Sequence, residues 1–392
     1  MRQTQKVEQR MKKVKYINKI DKLETLDLKE KMVLKRVSDQ YAFRSNDYYL
    51  SLIDWTDPGD PIRRLVVPDV REIEESGKLD PSDEERYTIM PGLQHKYRST
   101  AVLLISGVCG GICRYCFRKR IFLRKQTDIL RDLPTALDYI RQHDEITNIL
   151  LTGGDPFMLT AGKLESIIGR LFEINHVRII RIGTKMLSFN PYKVMKDDLI
   201  PNMIERLVSP TKRIYVMTHF SHPKELTEAA LEAITKLQRK GAVLANQTPL
   251  IHGINDDPAI LAQLFQELSF VGVPPYYLFQ CRPALGNQDY SVPIEEGYEI
   301  FEKAKAKVSG LAKRARYVLS HTTGKLEVVG LTESHIYFKY HRAAKSRDSG
   351  TFLKFERNPE GYWLDDYDEA MGEFPVFSKA ELLRRDAAYA GI

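Results

Sequence analysis

The sequence predicts an α/β fold: six βα units forming a parallel sheet that curves into an open, partial (β/α)6 barrel, with a helical region before it and a β-rich extension after it. Three observations carry that expectation. Short apolar runs alternate with amphipathic segments through the centre of the 392-residue chain, which is the pattern of crossover connections. The runs number six, too few for a closed eight-stranded barrel. Polar, glycine-rich or cysteine-rich stretches follow the runs, where a barrel of this kind gathers the loops that do its chemistry.

The six strands are expected at 102 to 107, 148 to 153, 178 to 184, 213 to 219, 242 to 248 and 274 to 281. Helices are expected between them at 132 to 142, 162 to 173 and 258 to 269. In a further helix Leu226, Ala230, Ile234 and Leu237 share one face and Gly241 marks the stop. Residues 1 to 95 read as a helical and turn-rich region that includes Asp57-Pro-Gly-Asp-Pro-Ile62, and 96 to 290 as the barrel. Residues 291 to 392 read as an extension, with a helix near 294 to 308 and a stretch from 315 to 357 rich in Tyr, Val and Phe. That extension is expected to fold over the barrel mouth or onto another subunit, giving a homo-oligomer.

Composition sets broad limits. With 43% hydrophobic residues the chain can bury a full core. No apolar run approaches the roughly 18 residues that a membrane helix needs. The first 22 residues are basic and lack the apolar centre of a signal peptide, so they read as an exposed, partly helical arm and the protein as cytoplasmic. The net charge of +7 permits anionic ligands without choosing among them. No interleaved basic and aromatic motif stands out, so nucleic acid is not the expected partner.

The chemistry is concentrated in Ser106-Gly-Val-Cys-Gly-Gly-Ile-Cys-Arg-Tyr-Cys-Phe-Arg-Lys-Arg120. Cys109, Cys113 and Cys116 fall within eight residues, and the fourth cysteine, Cys281, is remote. A closed zinc or ferredoxin-type site usually takes four ligands. Three thiolates hold three irons of a 4Fe-4S cluster and leave the fourth open to a ligand. A zinc knuckle is the other reading, with His143 as the nearest downstream histidine. Tyr115 offers an aromatic face for a purine.

This spacing, with an aromatic before the last cysteine, resembles the radical S-adenosylmethionine (SAM) enzymes, whose fold is the same open barrel. The blocks His95-Lys-Tyr97, Leu151-Thr-Gly-Gly-Asp-Pro-Phe-Met-Leu159, Arg181-Ile-Gly-Thr184, Thr218-His-Phe-Ser-His-Pro223, Asn246-Gln-Thr248 and Tyr276-Tyr-Leu-Phe-Gln-Cys281 are similar, in order and spacing, to the lysine 2,3-aminomutase family. The resemblance spans roughly residues 40 to 330. It implies a reduced cluster that cleaves SAM to a 5'-deoxyadenosyl radical, and pyridoxal 5'-phosphate (PLP) that holds the substrate amino group while nitrogen moves from carbon 2 to carbon 3. A small electron donor such as flavodoxin or ferredoxin is implied as well.

Residue by residue, the resemblance puts Gly153, Gly154 and Asp155 at the amino group of SAM. Tyr97, Tyr115, Thr184, His219 and Gln247 fall around the cofactors, and Arg118 at the substrate α-carboxylate, for which a guanidinium fork is suited. Lys325, in Ser320-His-Thr-Thr-Gly-Lys325, matches the lysine that binds PLP, although one glycine remains of the family's glycine-rich run. A surface lysine on a hairpin is the other reading. Lys96 and Thr100 stand where relatives tend to carry arginines near the cofactor phosphate.

After Gln280-Cys281, lysine-acting members place an aspartate for the distal ammonium, and this chain has Arg282. Arginine there repels a lysine side chain and attracts a carboxylate. The expected activity is a 2,3-aminomutase acting on an amino acid other than free lysine, acidic in character. Beside it stand a lysine 2,3-aminomutase, a protein-lysine enzyme of the elongation factor P modifier type, and a non-catalytic cluster- or zinc-binding RNA module. Alternatively Arg282 points outward or pairs with Asp289.

Overall fold

The computed structural model describes residues 14–73, 76–123 and 128–367. The expected α/β open barrel is present. Its framework is one sheet of twelve strands in sequential order: β1 (Thr88–Met90), β2 (Leu93–Tyr97), β3 (Thr100–Ser106), β4 (Asn148–Gly153), β5 (Ile179–Thr184), β6 (Arg213–Thr218), β7 (Val243–Pro249), β8 (Pro275–Phe279), β9 (Arg316–His321), β10 (Gly324–Leu331), β11 (His335–Ala343) and β12 (Phe352–Glu356). Strands β3 to β9 are parallel, with antiparallel pairs at both ends. The end strands β1 and β12 do not pair, so the sheet stays open.

Helices cover the outer face as the periodicity predicts. Ala161–Phe172 (α1) buries Leu164, Ile167, Ile168 and Leu171, and Glu228–Arg239 (α2) buries Ala230, Ala233, Ile234 and Leu237. Leu226 lies ahead of α2, because the Thr227 hydroxyl accepts the Ala230 N–H and starts the helix one residue later. Against them the strands bury alternate residues such as Ile180 and Ile182.

The structure adds detail at both ends of the sheet. The β-rich segment after residue 315 extends the sheet: β9 is a seventh parallel strand, reached from β8 through the helix Ile294–Ala306, and β10 to β12 continue it in antiparallel pairs. At the other end the sheet begins at β1, and it runs without interruption across residues 96 and 290. Of the basic N-terminal arm, residues 1–13 lie outside the described residues. Beyond them Tyr16–Ile17 pairs with Ser45–Asn46 and Ile20 is buried at the start of a single helical turn, Ile20–Lys22, while Lys15, Asn18, Lys19, Asp21 and Lys22 stay exposed as expected.

Contacts between the first strands and the β9–β10 turn bridge the open side. The Lys96 ammonium donates to the His321 carbonyl (2.5 Å), the Tyr87 hydroxyl to the Thr322 carbonyl (2.9 Å) and the Ser82 hydroxyl to the Ser320 carbonyl (3.3 Å). Among the described residues no helix is long and apolar enough to cross a membrane.

The loop after β3 is fixed from behind. Arg114, between two of the cysteines, is 1% exposed and pairs with Glu72, which is 0% exposed, at 2.7 Å. Removing one partner of a buried pair strands the other charge. Glu72→Ala is therefore expected to lower unfolding stability by about 3–5 kcal/mol, read from urea denaturation of the anaerobic protein; a change under about 1 kcal/mol would show that water reaches Arg114.

Candidate active site

Cys109, Cys113 and Cys116 line one cavity of about 270 Å³ in the interior of the barrel. None forms a disulfide. Burial pushes all three thiols up, Cys113 to about 12, so holding them as thiolates requires bound cations. Among the described residues no three His, Cys, Asp or Glu side chains converge on one metal-ion position. Three thiols on one cavity wall supply the three protein ligands of a cluster with one open iron, whereas a structural zinc takes four closed ligands.

The predicted SAM loop closes against the cysteine loop. The Gly154 N–H donates to the Ser106 carbonyl (2.6 Å) and the Asp155 N–H to the Val108 carbonyl (2.8 Å). Gly153 has a φ of +112°, and a Cβ on Gly154 would lie 2.6 Å from the Val108 oxygen. Both positions therefore demand glycine.

Asp155 is already engaged. Its carboxylate accepts the Thr184 hydroxyl (2.8 and 2.9 Å), the Lys185 N–H (2.8 Å) and the Phe157 N–H (2.9 Å). Burial still lifts its pKa to about 6. Thr184 and Asp155 thus tie the ends of β4 and β5 together at the cavity wall.

His219 and Tyr115 meet on the far side. The Tyr115 hydroxyl lies 3.0 Å from His219 Nε2 and 3.2 Å from the Ser221 hydroxyl. Burial, and then the nearby Lys185 cation, push the imidazole down to about 3, so it is neutral at physiological pH. Gln247 lines the cavity from β7, while His222 faces away and caps the next turn by accepting the Lys224 N–H.

Lys325 is not a surface lysine. It projects from β10 into the cavity, 4.7 Å from the Tyr277 ring, 5.2 Å from Phe279 and 6.0 Å from Tyr97. Burial, and then Arg181, Arg342, Arg282 and Lys96 around it, hold its pKa well below the usual lysine value. A neutral amine is a nucleophile. An aromatic box under such an amine, flanked by cations, fits the ring and phosphate of PLP. Tyr97 is beside Lys325 but is not part of the cavity wall proper.

Arg118 and Arg282 line the cavity near the cysteines. Arg118 pairs through Nε and Nη2 with Glu84 (2.6 Å at the closest) and turns Nη1 to the Thr152 hydroxyl (3.4 Å). Arg282 lies 3.6 Å above the Phe117 ring, and its Nη1 is buried with no hydrogen-bond partner among the described residues. Asp289 pairs instead with Arg64 and Arg71, so it is not the counter-ion of Arg282.

Residues 103–264 match the profile of the Radical SAM superfamily. A protein of Aquifex aeolicus (strain VF5), provisionally named L-lysine 2,3-aminomutase, is 51% identical over 93% of this chain and 97% of its own length. The glutamate 2,3-aminomutase of Clostridioides difficile (strain 630) is 36% identical over 76% of this chain and 69% of its own. The L-lysine 2,3-aminomutase of Clostridium subterminale is 35% identical over 67% of this chain and 62% of its own. The chain belongs to the lysine 2,3-aminomutase family of radical SAM enzymes. It is an isomerase of the aminomutase type, with a 4Fe-4S cluster and SAM as cofactors, a small-molecule substrate and a need for a reductant.

Two charged neighbours of the cavity in this aminomutase were not legible in the sequence. Glu84 joins Arg118 and Arg120; burial pushes its pKa up, but the arginines outweigh it and hold the carboxyl well below the usual range, and it sits in an acidic turn with no local signature. Arg342 comes from β11, far along the chain, and an alternating strand pattern was its only signal.

The unfolded chain protonates His219 near 6.5 and the folded enzyme only near 3, so the unfolded state holds the extra proton between those values and stability falls as pH drops through that window. His219→Gln is expected to flatten the acid limb of the stability profile, measured by denaturant unfolding at stepped pH. A limb as steep as that of the parent protein would place the titration elsewhere.

Proposed function

We propose that this enzyme is a PLP-dependent 2,3-aminomutase whose substrate is an acidic amino acid resembling glutamate rather than free lysine. The observation that carries the reading is the charge of the cavity wall. Arg118, Arg181 and Arg282 are on it, Lys185 is there but paired with Glu225 at 2.6 Å, and the one acid among the described lining residues, Asp155, is spent on Thr184 and backbone donors. Glu84, just behind, is spent on Arg118 and Arg120. A substrate with a second ammonium finds no free carboxylate there, whereas a second carboxylate meets the unpartnered Nη1 of Arg282.

When bound, SAM on the cluster supplies a hydrogen-abstracting radical, and PLP supplies the π system through which nitrogen migrates. The chain does the rest. Cys109, Cys113 and Cys116 hold the cluster, and Gly153, Gly154, Thr184, His219 and Gln247 form the walls around SAM. Lys325 offers a neutral amine to the PLP carbonyl, and Arg118 presents its Nη1 side to the α-carboxylate. The reaction breaks the bond from nitrogen to carbon 2, forms one to carbon 3, and moves one hydrogen the other way, so it is a balanced isomerisation. Flavodoxin or ferredoxin is the proposed electron source, and a homo-oligomer the proposed assembly.

Lysine remains the second reading, because the Aquifex aeolicus relative at 51% identity carries a lysine name. Anaerobic incubation with SAM, PLP, dithionite and L-glutamate, L-aspartate or L-lysine separates the two. The β-amino isomer of glutamate is expected as the main product, and preferential turnover of lysine would overturn the assignment. Arg282→Asp is expected to lower kcat/KM for the acidic substrate about 100-fold, as loss of a buried charged contact does, and to raise turnover of lysine.

A further inference from the structure

Lys325 and Arg342 stand directly opposite each other on the antiparallel strands β10 and β11. Like charges in that register repel. The arrangement gathers more of the same sign, since Arg181, Arg282 and Lys96 also bear on Lys325, and the strongest charged influences on it are all cations. Burial and these neighbours hold Lys325 neutral, so the positive charge beside it rests on Arg342 and Arg181, a setting that favours an anion.

The cations are not equally free to bind one. The Lys96 ammonium is spent on the His321 carbonyl, and Arg181 Nε donates to the Asn148 side chain at 2.8 Å. Arg342 uses only Nη2, in long bonds to the Thr100 hydroxyl (3.2 Å) and the Ser99 hydroxyl (3.4 Å). Its Nε and Nη1 have no hydrogen-bond partner among the described residues. The guanidinium lies 4.4 Å over the Tyr97 ring, the same ring that Lys325 approaches at 6.0 Å. Two free N–H groups and two neighbouring hydroxyls make a donor fork of the kind that binds phosphate.

The position also suits a cofactor with its reactive carbon and its phosphate at opposite ends. Thr100 opens strand β3, and the cysteine loop follows its last residue, Ser106. Six residue steps along a strand separate those ends by roughly 20 Å. An anion at Arg342 is thus held away from the cluster, with Lys325 facing the intervening space.

We propose that Arg342 anchors the phosphate of PLP, with the Ser99 and Thr100 hydroxyls completing the site. The proposal rests on the PLP reading above. Full-length protein carrying its cluster is titrated anaerobically with PLP and with pyridoxal, which lacks the phosphate, and the visible absorption of lysine-bound pyridoxal is followed. Arg342→Gln is expected to weaken PLP binding tenfold or more and to leave pyridoxal binding unchanged. Arg342→Lys, which keeps the charge without the fork, is expected to lose less and serves if the glutamine variant does not fold. PLP binding by Arg342→Gln within twofold of the parent, or equal loss for both compounds, overturns the anchor. Absence of the absorption in the parent protein itself with either compound removes the PLP reading and the anchor with it. Its presence in the parent and loss in Lys325→Ala keeps that reading whatever Arg342 does.

Discussion

The buried pair of Glu72 and Arg114 is the constraint on which the site depends. Arg114 lies between Cys113 and Cys116, so its side chain decides how the cysteine loop is held. Glu72 grips it through both carboxylate oxygens, and the Ala42 carbonyl takes a third contact at 2.9 Å. A guanidinium with so many fixed partners has little freedom left. The cysteines on either side can therefore face the cavity at a set depth before any cluster is present. The N-terminal region is less an appendage than the rear wall of the metal-binding loop.

An open sheet needs such outside support. A closed barrel positions its loops by pairing every strand, whereas this sheet ends at β1 and β12. Its open side is held by a few long-range hydrogen bonds from residues 82, 87 and 96 to the turn between β9 and β10. That turn carries Lys325 on its far shoulder. The contacts that hold the barrel's shape are thus the ones that aim the candidate PLP lysine.

Charge organises the cavity as much as shape does. Burial drives Lys325 and His219 toward their neutral forms and lifts the cysteine thiols, while Glu84 stays ionised among arginines. The wall is left with a surplus of positive charge. That surplus is what the proposed anionic ligands, a phosphate and carboxylates, would meet.

Much of this was legible in the chain itself. Cysteine spacing, two adjacent glycines after a strand, and the alternation of runs each depend on neighbours within a few residues, where backbone geometry and side-chain period act directly. Of the residues expected around the cofactors and substrate, every one but Tyr97 lines a single cavity, and Tyr97 stands next to Lys325.

What the sequence could not decide were matters of long-range pairing. Nothing local says that Glu84 reaches Arg118, that Arg342 faces Lys325, or that β9 joins the parallel sheet. A charged side chain looks the same in a one-dimensional pattern whether it meets water, a counter-ion or another cation. The sequence determined the chemistry, three thiols and the loops around them. Only the tertiary structure decided the electrostatics, because the energy of a charge is set by its burial and its partners, and these are fixed when distant strands come into register.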